Sequence, residues 1–300
     1  MMSVHLISLQ GRRPENEDKH TAITNINNKI KDLAPVNLFG VYDGHGGKFV
    51  SEYLSKNLPQ LFMNKQVKYP LERQYILDVY DSLQNILKTK YRSKALKSGS
   101  TCLVLIHSKN KEERSETINL INVGDSRCVL CRENFAIPLT KDHKPNGPEE
   151  RGRILNLGGN IEFDGDDYRI KKLSVSRAFG DISAEPYVTH VPDTFKFKLE
   201  KNDKFVVLGC DGLWDKLTSE EVVNFVLLEC YDRTTNVRIN KQVNAALKLA
   251  EYAIQKGSTD NVTAIIVFFD NIITNDKNKN KIEMNSNKPI NNNIKINTNK

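Results

Sequence analysis

Four aspartates stand at the ends of apolar segments of this sequence. The segments NLFGVYD, INLINVGD and KFVVLGCD end at Asp43, Asp125 and Asp211, and the segment DNVTAIIVFF begins with Asp260. Three of these aspartates adjoin a glycine, so each one taken alone is typical of a turn. If the strand ends meet, their carboxylates lie together, and charges so close cannot all stay ionised without compensation. Divalent cations that prefer oxygen ligands would supply that compensation.

Two interpretations of the acidic residues remain open from the residues alone: a shared metal site or a scatter of turn formers. The acidic pair Glu17-Asp18, near a further predicted strand, favours the shared site. The stretch NLFGVYDGHGG (37–47) also admits a hairpin turn or a phosphate-binding loop. A helical pattern follows it, which disfavours the hairpin, and Phe49 stands where a P-loop requires Ser or Thr.

Other common catalytic patterns are absent from the sequence. GDSRC lacks the last glycine of a G-x-S-x-G motif, no H-E-x-x-H occurs, and no Cys stands six residues before an Arg. The pair Cys128 and Cys131 has no second pair with which to complete a zinc site. FDGDDY is faintly similar to a polymerase hairpin, but we interpret it as a solvent-exposed loop.

The apolar patterns predict the elements that must position the acidic residues. We expect strands over 4–9, 20–26, 37–42, 100–107, 117–124, 128–131, 135–139, 194–199, 204–210 and 261–269. We expect helices over 48–62, 71–97, from Pro148, over 219–230 after a Thr218–Glu221 capping box, and over 241–256. Strands and helices come in blocks, which favours an α+β fold with antiparallel sheets over a doubly wound one.

Length and charge limit the class of protein. The chain has 300 residues, 39% of them apolar, and a net charge of +7. Residues 271–300 carry +4 of that charge, so the rest is too weakly basic to indicate nucleic-acid binding. Eleven of these last thirty residues are Asn and none is aromatic, which predicts a disordered Asn/Lys-rich tail. A basic interaction tail is the alternative.

Cysteine usage and hydropathy indicate the environment of the chain. Five cysteines, an odd number, favour free thiols in a reducing compartment, so we expect the cytoplasm and/or the nucleus. The N-terminal apolar run is too short for a signal peptide. No apolar run approaches the ~20 residues that a membrane span requires, so we expect none.

Nine motifs follow one another along the chain: GRRPENEDKH, VYDGHGG, SGST, NVGDSR, DHKP, LSVSRAFGD, EP, GCDGLWD and STDNVTAIIV. Together they closely resemble the metal-dependent protein serine/threonine phosphatases of type 2C. The resemblance implies a catalytic domain over residues 1–270, followed by the tail at 271–300. It implies a central β-sandwich of two antiparallel sheets, flanked on each side by antiparallel α-helices, and a monomer.

The resemblance also implies roles for individual residues. Asp43 resembles the carboxylate that bridges two Mn²⁺ or Mg²⁺ ions, and Gly44 resembles the residue whose carbonyl binds one of them. The other implied metal-site residues are Glu17 (through water), its partner Asp18, Asp211 and Asp260, with Asp125 and Asp215 joining Asp211 at a weaker third site. Arg13 resembles the arginine that binds the substrate phosphate, and His45 resembles the general acid.

These residue types suit the hydrolysis of phosphoserine and phosphothreonine in protein substrates. Two divalent ions roughly 3.5–4 Å apart can lower the pKa of a water between them to near neutrality. That water attacks phosphorus directly, so no protein nucleophile is required, in keeping with the absent Cys and Ser motifs. The leaving oxygen needs a proton, which a His can give, and an Arg can grip phosphate with two donors.

One segment departs from the family pattern. Where the family has a sequence such as Arg-Val-Asn-Gly-x-Leu, this chain has RIKKL (Arg169 to Leu173), one residue shorter and without the glycine. In the family this neighbourhood forms a mobile flap beside the active site. We therefore expect Lys171 and Lys172 to change the flap geometry or to favour acidic phosphosubstrates.

Two other classes of function compete with the phosphatase. A catalytically inactive type 2C-like scaffold would typically lose metal-binding acids, whereas this chain retains Glu17, Asp18, Asp43, Asp211 and Asp260. A metal-dependent nuclease would fit clustered acids and positive charge. The weak charge outside the tail and the missing interleaving of aromatic and basic residues argue against it.

Overall fold

The computed structural model describes residues 2–26, 35–63, 67–110 and 112–269 of the chain. The predicted tail at 271–300 lies outside the described residues. Within them, no helix combines the length and hydrophobicity that crossing a bilayer requires. All five cysteines are free and buried, which confirms the predicted free thiols.

Two five-stranded sheets form the centre of the fold, and every strand pairing within them is antiparallel. The first sheet has the order β1 (Met2–Leu9), β15 (Val262–Phe269), β14 (Asp203–Gly209), β8 (Arg127–Arg132) and β9 (Phe135–Pro138). The second has the order β13 (Asp193–Lys198), β7 (Ser115–Val123), β6 (Cys102–Asn110), β3 (Val36–Tyr42) and β2 (Lys19–Ile23).

Alternating side chains of these strands build the layers of the core. Phe39 and Val41 of β3 pack against Val206 and Ile265 of the first sheet, so the two sheets lie face to face. The intervening Leu38 of β3 points the other way and joins the apolar cluster beneath the helices. Central strands such as β3 and β15 therefore bury both faces, which explains their nearly continuous apolar sequences.

Two helices cover each outer face of the sandwich. Helices α1 (Phe49–Phe62) and α2 (Arg73–Thr89) pack on the second sheet, and α6 (Ser219–Cys230) and α7 (Ala245–Gln255) pack on the first. The predicted capping box is present at the start of α6, where Thr218 and Glu221 bond each other's backbone N–H groups. The predicted α+β sandwich with helices on both sides is confirmed.

Shorter elements surround the sandwich. They are α3 (Arg92–Ala95), α4 (Pro148–Asn156), α5 (Asp211–Trp214), a hairpin of β10 (Ile161–Phe163) and β11 (Tyr168–Ile170), and a small sheet of β12 (Phe179–Gly180), β5 (Gly99–Ser100) and β4 (Gly44–His45). The hairpin and the small sheet are absent from the sequence prediction, because strands of two or three residues show no hydrophobic period.

The single helix predicted over 71–97 is wrong, because the chain leaves helical geometry between α2 and α3. Tyr91, with φ −121° and ψ 23°, separates the two helices. Its ring packs 5.3 Å from that of Phe49 and 5.6 Å from that of Tyr53. The aromatic contact with α1 is a tertiary interaction that the helical period of the sequence does not contain.

Candidate active site

A cleft of about 720 Å³ opens where strand ends of both sheets meet. Nine of the ten predicted site residues line it: Arg13, Glu17, Asp43, Gly44, His45, Asp125, Asp211, Asp215 and Asp260. The tenth, Asp18, is buried and does not line the cleft. The fold thus gathers into one place residues as far apart as Arg13 and Asp260, which are 247 positions apart.

Three carboxylates from three strand ends form the tightest acidic group in the cleft. One oxygen each of Asp43, Asp125 and Asp211 lies within 4.8 Å of the other two. Asp43 comes directly after β3 and Asp125 shortly after β7, both in the second sheet, whereas Asp211 follows β14 in the first. The strand ends therefore meet, which favours a shared acidic site over scattered turn residues, the two interpretations that the residues alone leave open.

The electrostatics of this group explain why it needs cations. Burial and the neighbouring carboxylates, Asp211 foremost, raise the pKa of Asp43 well above its usual range. Burial, with repulsion from Asp125, Asp215 and Asp260, raises the pKa of Asp211 to about 8. Without cations, Asp43 and Asp211 therefore keep their protons to a higher pH than ordinary carboxyl groups do. Oxygen-binding divalent cations would let all of them ionise, so the residues present fit such ions.

A buried oxygen of Asp125 supports the same conclusion. The side chain is 2% exposed, and its Oδ2 accepts no hydrogen bond from the described residues. The ammonium of Lys144 lies 2.5 Å from this oxygen as an ion pair without hydrogen-bond geometry. Asp215 lies one helical turn after Asp211, and burial raises its pKa as well. Lys144 is a cleft residue that the sequence prediction missed.

Asp18 lies behind Asp43 and holds the strands together. Thr263 Oγ1 of β15 donates to Asp18 Oδ2 at 2.6 Å. Burial raises the pKa of Asp18 to about 6 despite this bond. Asp18 and Asp43 form a second close group with the sulfur of Cys210. Burial raises the pKa of that thiol well above its usual range, so Cys210 stays protonated and is a poor metal ligand.

The loop after β1 carries Arg13 and Glu17 and is tied to the start of β15. The side-chain oxygen of Asn261 accepts from the N–H of Glu17 at 2.9 Å, and its amide donates to the carbonyls of Gln10 and Glu15. Asn261 is a positioning residue that the prediction missed, although it lies within the STDNVTAIIV motif. It fixes the distance between the loop and Asp260.

Arg13 points into the cleft from this loop. Its guanidinium lies 2.5 Å from Asp260 Oδ2, while its side chain remains 58% exposed. An exposed guanidinium has five donors, of which the Asp260 contact uses a fraction. Arg13 can therefore hold a carboxylate of the site and still offer N–H groups to an anion in the cleft.

Close backbone packing places Glu17 beside Gly44. A Cβ on Gly44 would lie 2.4 Å from the Glu17 carbonyl oxygen and 2.7 Å from Ser51 Oγ. Ser51 Oγ, on α1, donates to the same carbonyl at 2.5 Å. A side chain at position 44 would separate Glu17 from Asp43, which explains the glycine directly after the central aspartate.

The imidazole of His45 is paired with the buried carboxylate of Asp181. Its Nε2 lies 2.6 Å from Asp181 Oδ2, and Asp181 is 2% exposed. Burial alone would lower the pKa of His45, but the hydrogen bond and charge of Asp181 outweigh it and raise that pKa. A Cβ on Gly99 would lie 2.0 Å from Asp181 Oδ2 and 2.5 Å from His45 Nε2. Gly99 therefore leaves the space that this pair occupies.

Asp181 is a further functional candidate that the sequence prediction missed. It ends the LSVSRAFGD motif and lies 136 positions from His45, so no local pattern connects the two. Its φ of 44° is left-handed, a conformation that Asp and Asn tolerate better than most residues. The available signal was chemical, because a histidine that must stay protonated benefits from a carboxylate partner.

The departure at Arg169 to Leu173 forms a tight turn at the edge of the cleft. Ile170 and Leu173 exchange backbone hydrogen bonds of 2.9 Å, and between them Lys171 and Lys172 have φ of 51° and 72°. Turns with two left-handed central residues favour Asn-Gly, so two lysines there are strained. Lys171 Nζ lies over the Tyr187 ring, whereas Lys172 lines the cleft.

The stretch FDGDDY is solvent-exposed except for the half-buried Asp167, which confirms the expected loop, and it forms the hairpin turn that joins β10 and β11. Asp164 caps the turn by accepting from the N–H groups of Asp166 and Asp167. Asp166 and Asp167 line the cleft. The segment therefore borders the acidic site without belonging to its central group.

Comparisons with known proteins agree with this site. The family model for Protein phosphatase 2C matches residues 2–262. The chain is 34% identical over 269 residues to probable protein phosphatase 2C 56 of Oryza sativa subsp. japonica, which covers 87% of this chain and 69% of that protein. It is also 34% identical over 283 residues to the integrin-linked kinase-associated serine/threonine phosphatase 2C of Homo sapiens, covering 86% and 70%.

A solved structure shares the fold. The serine-threonine phosphatase 2C from Toxoplasma gondii superposes with a TM-score of 0.74 at 24% identity, over 90% of this chain and 95% of that one. The sandwich with its acidic cleft is the architecture of a metal-dependent phosphatase. The chain belongs to the protein phosphatase 2C family, and it is a protein serine/threonine phosphatase.

Proposed function

We propose that the cleft hydrolyses phosphoserine and phosphothreonine in proteins with two Mn²⁺ or Mg²⁺ ions, and that a third ion binds more weakly. The observation that carries this proposal is the group of Asp43, Asp125 and Asp211, whose oxygens lie within 4.8 Å of one another. Divalent ions held there would neutralise the carboxylates and lower the pKa of a water to near neutrality. Asp43 occurs in both close acidic groups, which supports its assignment as the bridging ligand.

The remaining metal ligands are assigned by their place in the cleft. Glu17, Gly44 and Asp260 line it beside Asp43, and Asp211 reaches it from the first sheet. Asp18 acts from behind as a partner of the ligands, because it is buried and bonded to Thr263. Asp125 and Asp215 complete the weaker third site together with Asp211.

Arg13 orients the substrate phosphate. Its guanidinium is anchored by Asp260 yet exposed to the cleft, so it can donate to phosphate oxygens in a fixed direction. This placement lowers the entropy cost of holding the substrate beside the acidic group.

His45 donates a proton to the leaving serine or threonine oxygen. Nε2–H is held by Asp181, which leaves Nδ1–H of the imidazolium as the donor for the substrate. Asp181 raises the pKa of His45, which increases the share of the acid form that can donate the proton. All five cysteines are buried, and the thiols do not enter the reaction.

Two further assignments complete the proposal. Residues 1–270 form the catalytic domain of a monomer, and residues 271–300 form a tail that turnover does not require. The free, buried thiols support a reducing compartment, the cytoplasm or the nucleus. A chain truncated after Asp270 should retain the turnover of the full chain, whereas a large loss would assign the tail to the catalytic unit.

Phosphate release from a phosphoserine peptide, measured with and without EDTA, tests the proposal. We expect release that stops in EDTA and returns with Mn²⁺ or Mg²⁺. Release that persists in chelator would refute the metal assignment. No release under any metal would favour the inactive scaffold, and degradation of labelled DNA or RNA would favour the nuclease.

A further inference from the structure

Lys144 presents its ammonium to the group of carboxylates that is proposed to bind the third ion. Its Nζ lies 2.5 Å from Asp125 Oδ2 and 3.7 Å from Asp167 Oδ2. The Lys144 side chain is 24% exposed, whereas that of Asp125 is 2% exposed, so the ammonium covers the oxygen from the cleft side. Among described residues, no other cation pairs with Asp125.

The backbone fixes this approach. His143, directly before Lys144, donates its N–H to the carbonyl of Gly124, directly before Asp125. The N–H of Gly124 donates back to His143 Nδ1 at 3.0 Å, and His143 Nε2 lies 3.1 Å from Asp193 Oδ2. Because Nδ1 accepts, Nε2 carries the proton and donates to Asp193. These hydrogen bonds therefore hold the segment that carries Lys144 against the segment that carries Asp125.

We infer that Lys144 is a built-in counter-cation that competes with the third divalent ion for Asp125. A divalent ion and an ammonium on the same buried oxygen would repel each other, so the ion can bind there only when the Lys144 contact opens. The third site is weak because this contact must first be lost. Arg13 likewise pairs with the proposed ligand Asp260, but its side chain is 58% exposed, so that contact holds its carboxylate less strongly. The inference rests on the proposed metal site and adds a residue that sets the affinity of one position.

The effect of removing the Lys144 charge distinguishes two roles of this residue, competition with the ion and support of the ion site. If Lys144 only held Asp125 in place for the ion, removing its charge would weaken binding. If it competes, removing the charge strengthens binding. An opposite charge in contact with a carboxylate changes its protonation equilibrium by about tenfold or more, so a comparable effect on ion binding is measurable.

Calorimetric titration of the metal-free full chain with Mn²⁺ tests the inference without reference to activity. We expect two tighter ions and one weaker ion in the wild type, and a third-ion affinity about tenfold higher in Lys144→Met. Lys144→Arg keeps a cation and should resemble the wild type. Lys141→Met is the matched control, since Lys141 pairs with the exposed Glu149 instead and its loss should leave the titration unchanged.

Each other result decides against a stated claim. If the affinity for the third ion is unchanged or lower in Lys144→Met, Lys144 does not compete with that ion, and the inference is wrong. A gain that persists when Asp125→Asn is added to Lys144→Met would also overturn the inference, because the ion would then bind elsewhere. Absence of the two tighter ions in the wild type would overturn the proposed metal assignment itself, and the inference with it.

Discussion

The pairing of His45 with Asp181 yields a prediction that separates proton donation from metal chemistry. Asp181→Asn keeps the size of the side chain and tolerates the left-handed backbone of that position, so the fold should persist. It replaces a charge-assisted hydrogen bond of 2.6 Å by a neutral one. Such a bond contributes roughly 1.5–3 kcal/mol, so protonated His45 loses about that much stabilisation.

The expected effect depends on the leaving group. A serine alkoxide needs a proton as it leaves, so we expect kcat for a phosphoserine peptide to fall roughly tenfold to a hundredfold at neutral pH. The phenolate of p-nitrophenyl phosphate leaves without help, so its kcat should change little. Because Asp181 raises the pKa of His45, acid catalysis is present below that pKa and lost as pH rises through it. The variant should lose peptide turnover at a lower pH than the wild type.

The assay is phosphate release across a pH series with both substrates at saturating Mn²⁺. Asp81→Asn is a matched control, because Asp81 lies 2.7 Å from the ring of His190 in a more exposed Asp–His pair outside the cleft. The Asp81→Asn variant should leave the turnover of both substrates unchanged. An equal loss on both substrates with an unmoved pH profile would refute the proton-donor assignment and indicate a structural role for Asp181.

Three further perturbations follow from the structure. In EDTA the melting temperature should fall as pH rises, because Asp211, with an ordinary pKa of 3.8 and about 8 here, stabilises the fold below about pH 4 and loses that contribution through about pH 8. Asp211→Asn should flatten this fall and abolish peptide turnover, and a fall as steep as that of the wild type would contradict the acidic cluster. Lys172→Gln should weaken the preference for acidic over neutral phosphopeptides severalfold, because Lys172 lines the cleft. Lys171→Gln should leave that preference unchanged, because the Lys171 ammonium lies over the Tyr187 ring. Equal selectivity in both variants would contradict a role of Lys172 in substrate selection. Gly99→Ala should cut peptide turnover about as much as the loss of the Asp181 pair, and unchanged turnover would show that the pair is dispensable.

The sequence predicts the parts of this molecule whose causes are local. Alternating and continuous apolar runs identify the ten long strands, since central strands such as β3 bury both faces and edge strands such as β13 keep one face partly exposed. The Thr218–Glu221 capping box is local as well and is confirmed. The aspartates at strand ends are visible because a charged residue after an apolar run breaks the pattern. The order of the nine motifs along the chain connects these aspartates to the type 2C phosphatases.

The rest depends on contacts that only the folded chain creates. The break between α2 and α3 comes from the packing of Tyr91 on α1, and helical period alone continues through it. Asp181 pairs with His45, which lies 136 positions away in the sequence, and Lys144 pairs with Asp125 from a different loop. A strained turn at Lys171 and Lys172 likewise has no signature in propensity, since lysine rarely adopts positive φ.

The role of Asp43 is tested most directly by measuring metal binding and hydrolysis on the same samples. Wild type and Asp43→Asn would be titrated with Mn²⁺ by calorimetry and then assayed for phosphate release from a phosphoserine peptide. Because Asp43 belongs to both close acidic groups, we expect the variant to lose the two tighter ions and turnover together, while remaining folded by circular dichroism. A variant that still binds two ions and hydrolyses the peptide at the wild-type rate would contradict the account.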